Sequence, residues 1–387
     1  MKILHTSDWH LGHTLYTYDR TEEQRDMLLQ LQEIVRQQQP DLFLLSGDVY
    51  HTSQPSAAVQ TMFANALVAM HDACPTMTMV ITAGNHDSGS KHDIFRLPWR
   101  ALHVYTIGNI VEQKAEDQII EVPGKGFVIA MPYVYERNLP QGYYQQLLDL
   151  TAERNKDGLP VVMMAHATLL GCDFAGHENA SEKTVGGIES YELAAFGNGY
   201  DYLALGHIHH SQFVHGGEHR IRYSGSPLAV SFDECYTHSV SLVEIGGHGD
   251  DPVVQEVEIK PLRPLVTLPA QGYCTWAEAR QLLAEFPDTI DVYIRLNVEV
   301  DDFLPVEAHA EAKQLTISKL CRFCLIHSHR VATEQRETQV LSMEEFKAES
   351  PLALAERYAH DKDVEFDKEL RERFLTALRL VEEESGR

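Results

Sequence analysis

Five short clusters of acid, amide and imidazole side chains carry the reactive chemistry of this sequence. They are Asp8-Trp9-His10, Gly47-Asp48, Gly84-Asn85-His86-Asp87, a lone His166, and Gly206-His207-Ile208-His209. Their donors are oxygens and imidazole nitrogens, with no thiolate among them. Such a set suits a hard-to-borderline divalent ion such as Mn, Fe or Zn rather than a cysteine-rich structural zinc site. The candidates Asp8, His10, Asp48, Asn85, His166, His207 and His209 outnumber the about four ligands of one tetrahedral ion. Two ions sharing a carboxylate would use them all. Paired ions sit about 3.5–4 Å apart and stabilise both the attacking and the leaving oxygen of a phosphoryl displacement. Singly, each cluster has an ordinary reading: Asp8 as a loop carboxylate, Gly47-Asp48 as a turn, His166 as a buried hydrogen-bonded imidazole.

What sets them apart is their shared position. Residues 2–7 read as a strand that ends at Asp8. The apolar run Leu42-Phe43-Leu44-Leu45 reads as a buried strand that stops at Gly47-Asp48, and residues 77–82 as one that stops at Gly84. Further strands are expected at 126–131, 161–165, 201–205, 220–224, 240–245 and 253–259. Helices are expected over 22–38, with Met27, Leu28, Leu31, Ile34 and Val35 on one face, and after Pro55, with Ser56 as N-cap. Alternation of strand and helix with polar clusters at strand ends is how ligand sites arise in α/β sheets.

The stretch Lys260-Pro261-Leu262-Arg263-Pro264 breaks the strand pattern and marks a boundary. Beyond it, strands at 265–268, 291–300 and 323–327 and helices near 275–286 and 306–319 predict a small α+β domain. Residues from about 342 to 384 read as helical, with Ser342 and Glu345 as a capping box and Phe366, Leu370, Phe374, Leu378 and Val381 as an apolar stripe. The expected division is 1–260, 261–335 and 336–387. His210 extends the last His cluster but would point away in an extended segment. His327 and His329 repeat a His-x-His spacing without an acidic companion, and Cys321 and Cys324 read as apolar strand residues rather than half a zinc ribbon.

As a set, these motifs resemble the calcineurin-like metallophosphoesterases, over residues 8–209. Within that superfamily the sequence is similar to the SbcD family of bacterial DNA double-strand-break nuclease subunits. The similarity lies in Lys2-Ile3-Leu4-His5-Thr6-Ser7-Asp8-Trp9-His10-Leu11-Gly12, in Gly47-Asp48-Val49-Tyr50-His51 with Pro55-Ser56, and in Tyr223-Ser224-Gly225-Ser226-Pro227 followed by Ser231-Phe232-Asp233-Glu234. One departure is that Ala165 precedes the lone His166, where the family often has Gly. The resemblance implies a four-layer α/β/β/α sandwich with a small α+β capping domain and a helical C-terminal tail. It implies that Asp8, His10 and His209 hold a first ion, that Asn85, His166 and His207 hold a second, and that Asp48 bridges them. His86 would stabilise the transition state or protonate the leaving oxygen, His51 would position substrate, and Asp87 would orient His86 or a ligand. Two Mn²⁺ ions, a DNA substrate, an SbcC-type ATPase with a coiled coil and a homodimer within a heterotetramer are the implied cofactors and partners. On periodicity alone the tail could instead fold back on its own core, and the helix over 56–70 could serve core packing or a dimer face. A metallophosphoesterase acting on a small phosphomonoester or cyclic nucleotide is the alternative, which residues 1–260 alone would satisfy.

Charge bears on the same question. The 387 residues carry 32 Lys+Arg and 57 Asp+Glu, a formal charge of −25. Proteins that grip nucleic acid unaided present basic surface, so this balance argues against an autonomous DNA binder. Residues 1–260 carry 16 basic and 33 acidic side chains, or −17, and residues 261–387 carry 16 and 24, or −8. Two divalent ions would set +4 against the −2 of Asp8 and Asp48, making a cationic pocket on an anionic body. Weak DNA binding by the isolated chain, and dependence on its complex, are expected. No apolar run approaches the about 20 residues of a membrane helix. Six scattered cysteines form no disulfide framework, which favours a reducing cytoplasm.

Overall fold

The computed structural model describes residues 1–174, 176, 190–217, 219–330, 350–361, 366 and 368–384. The chain divides into two compact units, Met1–Val298 with Leu304–His329, and Glu299–Phe303 with Arg330–Arg387.

The first unit is built on two six-stranded sheets. In one, the order is Val253–Glu258, Ser239–Glu244, Lys2–Thr6, Leu42–Ser46, Thr78–Thr82 and Val104–Ile107. Lys2–Thr6, Leu42–Ser46, Thr78–Thr82 and Val104–Ile107 are parallel. In the other, the order is Gln212–Phe213, Ile221–Tyr223, Tyr202–Gly206, Val161–His166, Gly126–Ala130 and Ile119–Val122, with a parallel centre and antiparallel edges.

Side-chain alternation explains the layering. Strand residues point to opposite faces in turn, and here both faces are apolar. Leu42 and Leu44 join Ile3 and Val80 against Val128, Ala130, Val162, Met164 and Ala204 of the facing sheet. Phe43 and Leu45 point the other way, onto Met27, Leu31 and Val35 of the helix Thr21–Gln38 and Phe63, Leu67 and Met70 of Ala57–Ala73. The second sheet repeats the plan: Ile129, Met163, Leu203 and Leu205 meet Tyr143, Tyr144 and Leu147 of the helix Tyr143–Arg154. The result is the expected α/β/β/α sandwich. Ser56 caps the second helix by accepting from the Val59 amide at 3.3 Å. The apolar side of that helix is spent on the core.

After the proline-bounded stretch, Leu265–Leu268, Tyr293–Val300 and Arg322–Arg330 form a three-stranded sheet with the helices Trp276–Glu285 and Ala308–Thr316. It is joined to the sandwich by polar ties. The Tyr293 hydroxyl donates to Glu23 at 2.5 Å, and Arg263 lies 3.1 Å from Glu23 and 2.9 Å from Asp291. His327 and His329 pack on the Tyr273 ring, Cys321 is buried, and Cys324 lies within the last strand.

In the second unit, Pro351–Asp361 and Lys368–Glu384 are helices, linked by Arg371 and Glu356 at 3.3 Å. The Ser342–Glu345 capping box lies outside the described residues. No helix among the described residues is long and apolar enough to cross a membrane.

Candidate metal centre

The clusters converge because the parallel strands of both sheets end on the same side. Asp8 follows the strand ending at Thr6, Asp48 the strand ending at Ser46, and Asn85 the strand ending at Thr82. From the facing sheet, His166 ends its strand, and His207 and His209 follow the strand ending at Gly206. Backbone bonds lock the turns together: the Asp8 amide donates to Gly47 O at 3.1 Å and the His10 amide to Asp48 O at 3.0 Å. Four of these residues adopt left-handed backbone, with φ of 54° at Asp8, 44° at His10, 50° at Asp48 and 97° at His207. Left-handed conformations are costly for residues with a Cβ and cluster at functional sites. At Gly84 the approach is so close that a Cβ would fall 2.0 Å from Asp48 Oδ1.

Within this pocket the predicted donors face one another. His10 Nε2 lies 3.1 Å from His209 Nε2. Asp48 Oδ2 lies 3.3 Å from His166 Nε2 and 3.8 Å from His10 Nε2. Asn85 Oδ1 is 3.0 Å from both His166 Nε2 and His207 Nδ1. The Asp8 carboxylate accepts from the His207 amide at 3.1 Å. Asp8, His10, Asp48, His166 and His209 are buried. Burial raises the Asp8 carboxyl to about 6. Burial also opposes charge on His166, but the Asp48 carboxylate overrides it and holds the imidazole up to about 9. Asp48 itself, which burial alone would raise, is held well below the usual carboxylate range by His166, His10 and His86.

Among the described residues, Asp8, His10 and His209 bring one ligand atom each within 4.8 Å of one another, as do Asp8, Asp48 and His166, and His10, His51 and His86. Buried carboxylates packed against imidazole nitrogens that face each other fit a cation between them. These residues could therefore hold divalent metal.

The outer groups set the orientation. His166 Nδ1 donates to Ser46 O at 2.8 Å, which leaves Nε2 toward the pocket. His209 Nδ1 donates to the buried Glu234 at 3.0 Å, the carboxylate–histidine arrangement that fixes tautomer and basicity in metal sites. His86 Nδ1 donates to the His51 carbonyl at 2.9 Å, and its amide donates to Asp48 Oδ1 at 2.9 Å. The rings of His86 and His51 stack with centroids 5.6 Å apart. Of the two expected roles of Asp87, orienting His86 or a ligand, its contacts fit the second. Its carboxylate accepts from the amides of Gly84, Val49 and Tyr50 at 2.9, 3.1 and 3.0 Å, pinning one ligand loop to another. His210 turns aside as expected, lying 3.4 Å from Asp173 and stacking on Tyr236. Glu234 has no role that sequence reasoning assigns. Its only signal is membership of a motif stretch.

A two-sheet α/β sandwich with carboxylates and imidazoles gathered at its strand ends defines a metal-dependent phosphoesterase. Residues 1–211 match the family model described as calcineurin-like phosphoesterase. The chain is 30% identical to the SbcCD nuclease D subunit of Rhodobacter capsulatus, over 70% of this chain and 72% of that protein. It is 30% identical to the protein of the same name from Bacillus subtilis, over 79% and 81%, and 27% identical to that from Escherichia coli, over 89% and 91%. The chain belongs to the calcineurin-like phosphoesterases and, within them, to the family of SbcCD nuclease D subunits.

Proposed function

We propose that this chain is the nuclease component of an SbcC–SbcD-type complex, hydrolysing DNA phosphodiesters in repair and recombination. It would act as a 3′-5′ double-strand exonuclease and as an endonuclease on single strands and hairpins. The observation that carries the reading is the convergence of seven oxygen and nitrogen donors from the strand ends of both sheets. Asp8, His10 and His209 would hold one ion, Asn85, His166 and His207 the other, and Asp48 would serve both. Mn²⁺ suits this mixed donor set. Two bound ions supply Lewis acidity and a nucleophile at neutral pH.

The chain's own groups do the rest. Glu234 and Ser46 hold His209 and His166 in their binding tautomers. The His51 carbonyl fixes the His86 ring, which donates a proton to the departing oxygen or stabilises its charge. The His51 ring, stacked on His86, lines the approach of the substrate. The division 1–260, 261–335 and 336–387 gives a nuclease domain, a capping domain and a helical segment that docks on the ATPase partner. A homodimer within a heterotetramer and a cytoplasmic setting complete the reading.

The purified chain with Mn²⁺ should degrade DNA, and Asp48→Ala should abolish cleavage. Full activity in that variant would overturn the site assignment. Turnover of p-nitrophenyl phosphate without DNA cleavage would favour a small-substrate enzyme instead.

A further inference from the structure

A groove of about 550 Å³ opens beside Asn85. That is within the roughly 300–1,000 Å³ of small-ligand sites. Tyr133, Tyr135, Asn109 and Asn138 line it together with Asn85 and Asp87. The two tyrosine rings stand edge to face with centroids 5.2 Å apart, and the Tyr133 ring meets His166 at 6.2 Å. The Arg137 guanidinium lies 4.8 Å over the Tyr135 ring.

This placement is fixed by the backbone. The Tyr133 amide donates to Ala83 O at 2.8 Å, two residues before Asn85, and the Met131 amide to Met164 O at 3.1 Å, two residues before His166. The rings are not core residues. The three apolar cores described above take in Tyr143 and Tyr144 but neither Tyr133 nor Tyr135, which are half-buried at the groove. The carboxylate in the lining, Asp87, is engaged by three backbone amides. Aromatic rings and side-chain amides in one groove, with that carboxylate already engaged, match a flat heteroaromatic ring that carries hydrogen-bonding edges.

We propose that this groove is a nucleobase subsite, in which the Tyr135 ring stacks an unpaired base adjoining the phosphate under attack and the Tyr133 ring, edge to face with it, walls the groove. The inference rests on the nuclease reading above and specifies the substrate class of that site. Every base has a π-face, so stacking is tolerant of sequence. A base held in a duplex must first leave its stack at a cost of a few kcal/mol, so the groove selects single strands, frayed ends and hairpin loops.

The test compares kcat/KM of the full chain with Mn²⁺ on an oligothymidylate and on a strand of equal length made of abasic residues. Wild type should favour the base-bearing strand by about ten-fold, chiefly through KM. Tyr135→Ala should collapse that ratio toward one, and Tyr135→Phe should preserve it. A ratio near one in wild type, or a ratio unchanged in Tyr135→Ala, overturns the subsite. Cleavage of neither strand by wild type overturns the nuclease reading and the subsite with it. The ratio is internal to each variant, so a loss of folded protein does not disguise the answer.

Discussion

His209 Nδ1 and Glu234 Oε1 lie 3.0 Å apart with both side chains buried, so the imidazole presents Nε2 to the pocket by construction. Removing the charge while keeping the shape isolates this role. Glu234→Gln should lower Mn²⁺ affinity by about 10–100-fold, the usual effect of losing an outer-shell partner of a ligating histidine. Titration calorimetry reads it directly. Unchanged affinity would show that His209 is oriented by other groups.

The residue before Glu234 ties that carboxylate to the sheet beyond the proline-bounded stretch. Arg295 Nη1 meets Asp233 Oδ1 at 2.5 Å, its Nε donates to Thr267 Oγ1 at 3.1 Å, and its guanidinium covers the Phe232 ring at 5.5 Å. Arg295→Ala should weaken Mn²⁺ binding by about two- to ten-fold, less than Glu234→Gln because it acts one residue removed. Arg295→Lys should recover the charge but not the two-point grip. Equal affinity in all three proteins would sever the proposed link.

Gly84 offers a steric test without touching any donor. Its Cβ position is 2.0 Å from Asp48 Oδ1 and 2.3 Å from the Asp48 amide. Gly84→Ala must therefore displace the loop or the carboxylate, costing about 1–3 kcal/mol of stability. Metal-dependent cleavage should fall further than the melting temperature suggests. Wild-type cleavage at a lowered melting temperature would mean that the loop moves and Asp48 does not.

Metal loading should depend on pH in a stated direction. The metal-binding forms would be an ionised Asp8 and a neutral His166, while the metal-free site raises the first to about 6 and the second to about 9. Below about 6, protons compete at Asp8; between 7 and 9, binding must still expel the proton on His166. Affinity should rise with pH to about 9. Calorimetry at pH 7 in two buffers of different ionisation enthalpy should register proton release, and identical heats would contradict it.

The candidate ligands are legible in the sequence because each lies at the end of a strand whose apolar run is unmistakable, as with Leu42–Ser46 before Asp48. The four layers follow from runs apolar on both faces. Glu234 escapes for the opposite reason: it lies in irregular chain, one of 57 acidic residues, with no periodicity to mark it. Asp87 stands out in its motif, yet its partners are backbone amides that no side-chain pattern encodes, so its contacts become visible only in the fold. Tyr133 and Tyr135 look like any aromatics after a strand until their absence from the cores is visible.

Each sheet carries only part of the proposed metal centre. Asp8, His10, Asp48 and Asn85 come from one, and His166, His207 and His209 from the other. A folding intermediate with a single sheet formed would present an incomplete chelate. A metal held by all seven would act as a rivet across the sandwich, and tight uptake would mark the moment of sheet docking. Refolding followed by metal capture would time that step, which backbone spectroscopy, blind to the joining of two finished layers, would miss.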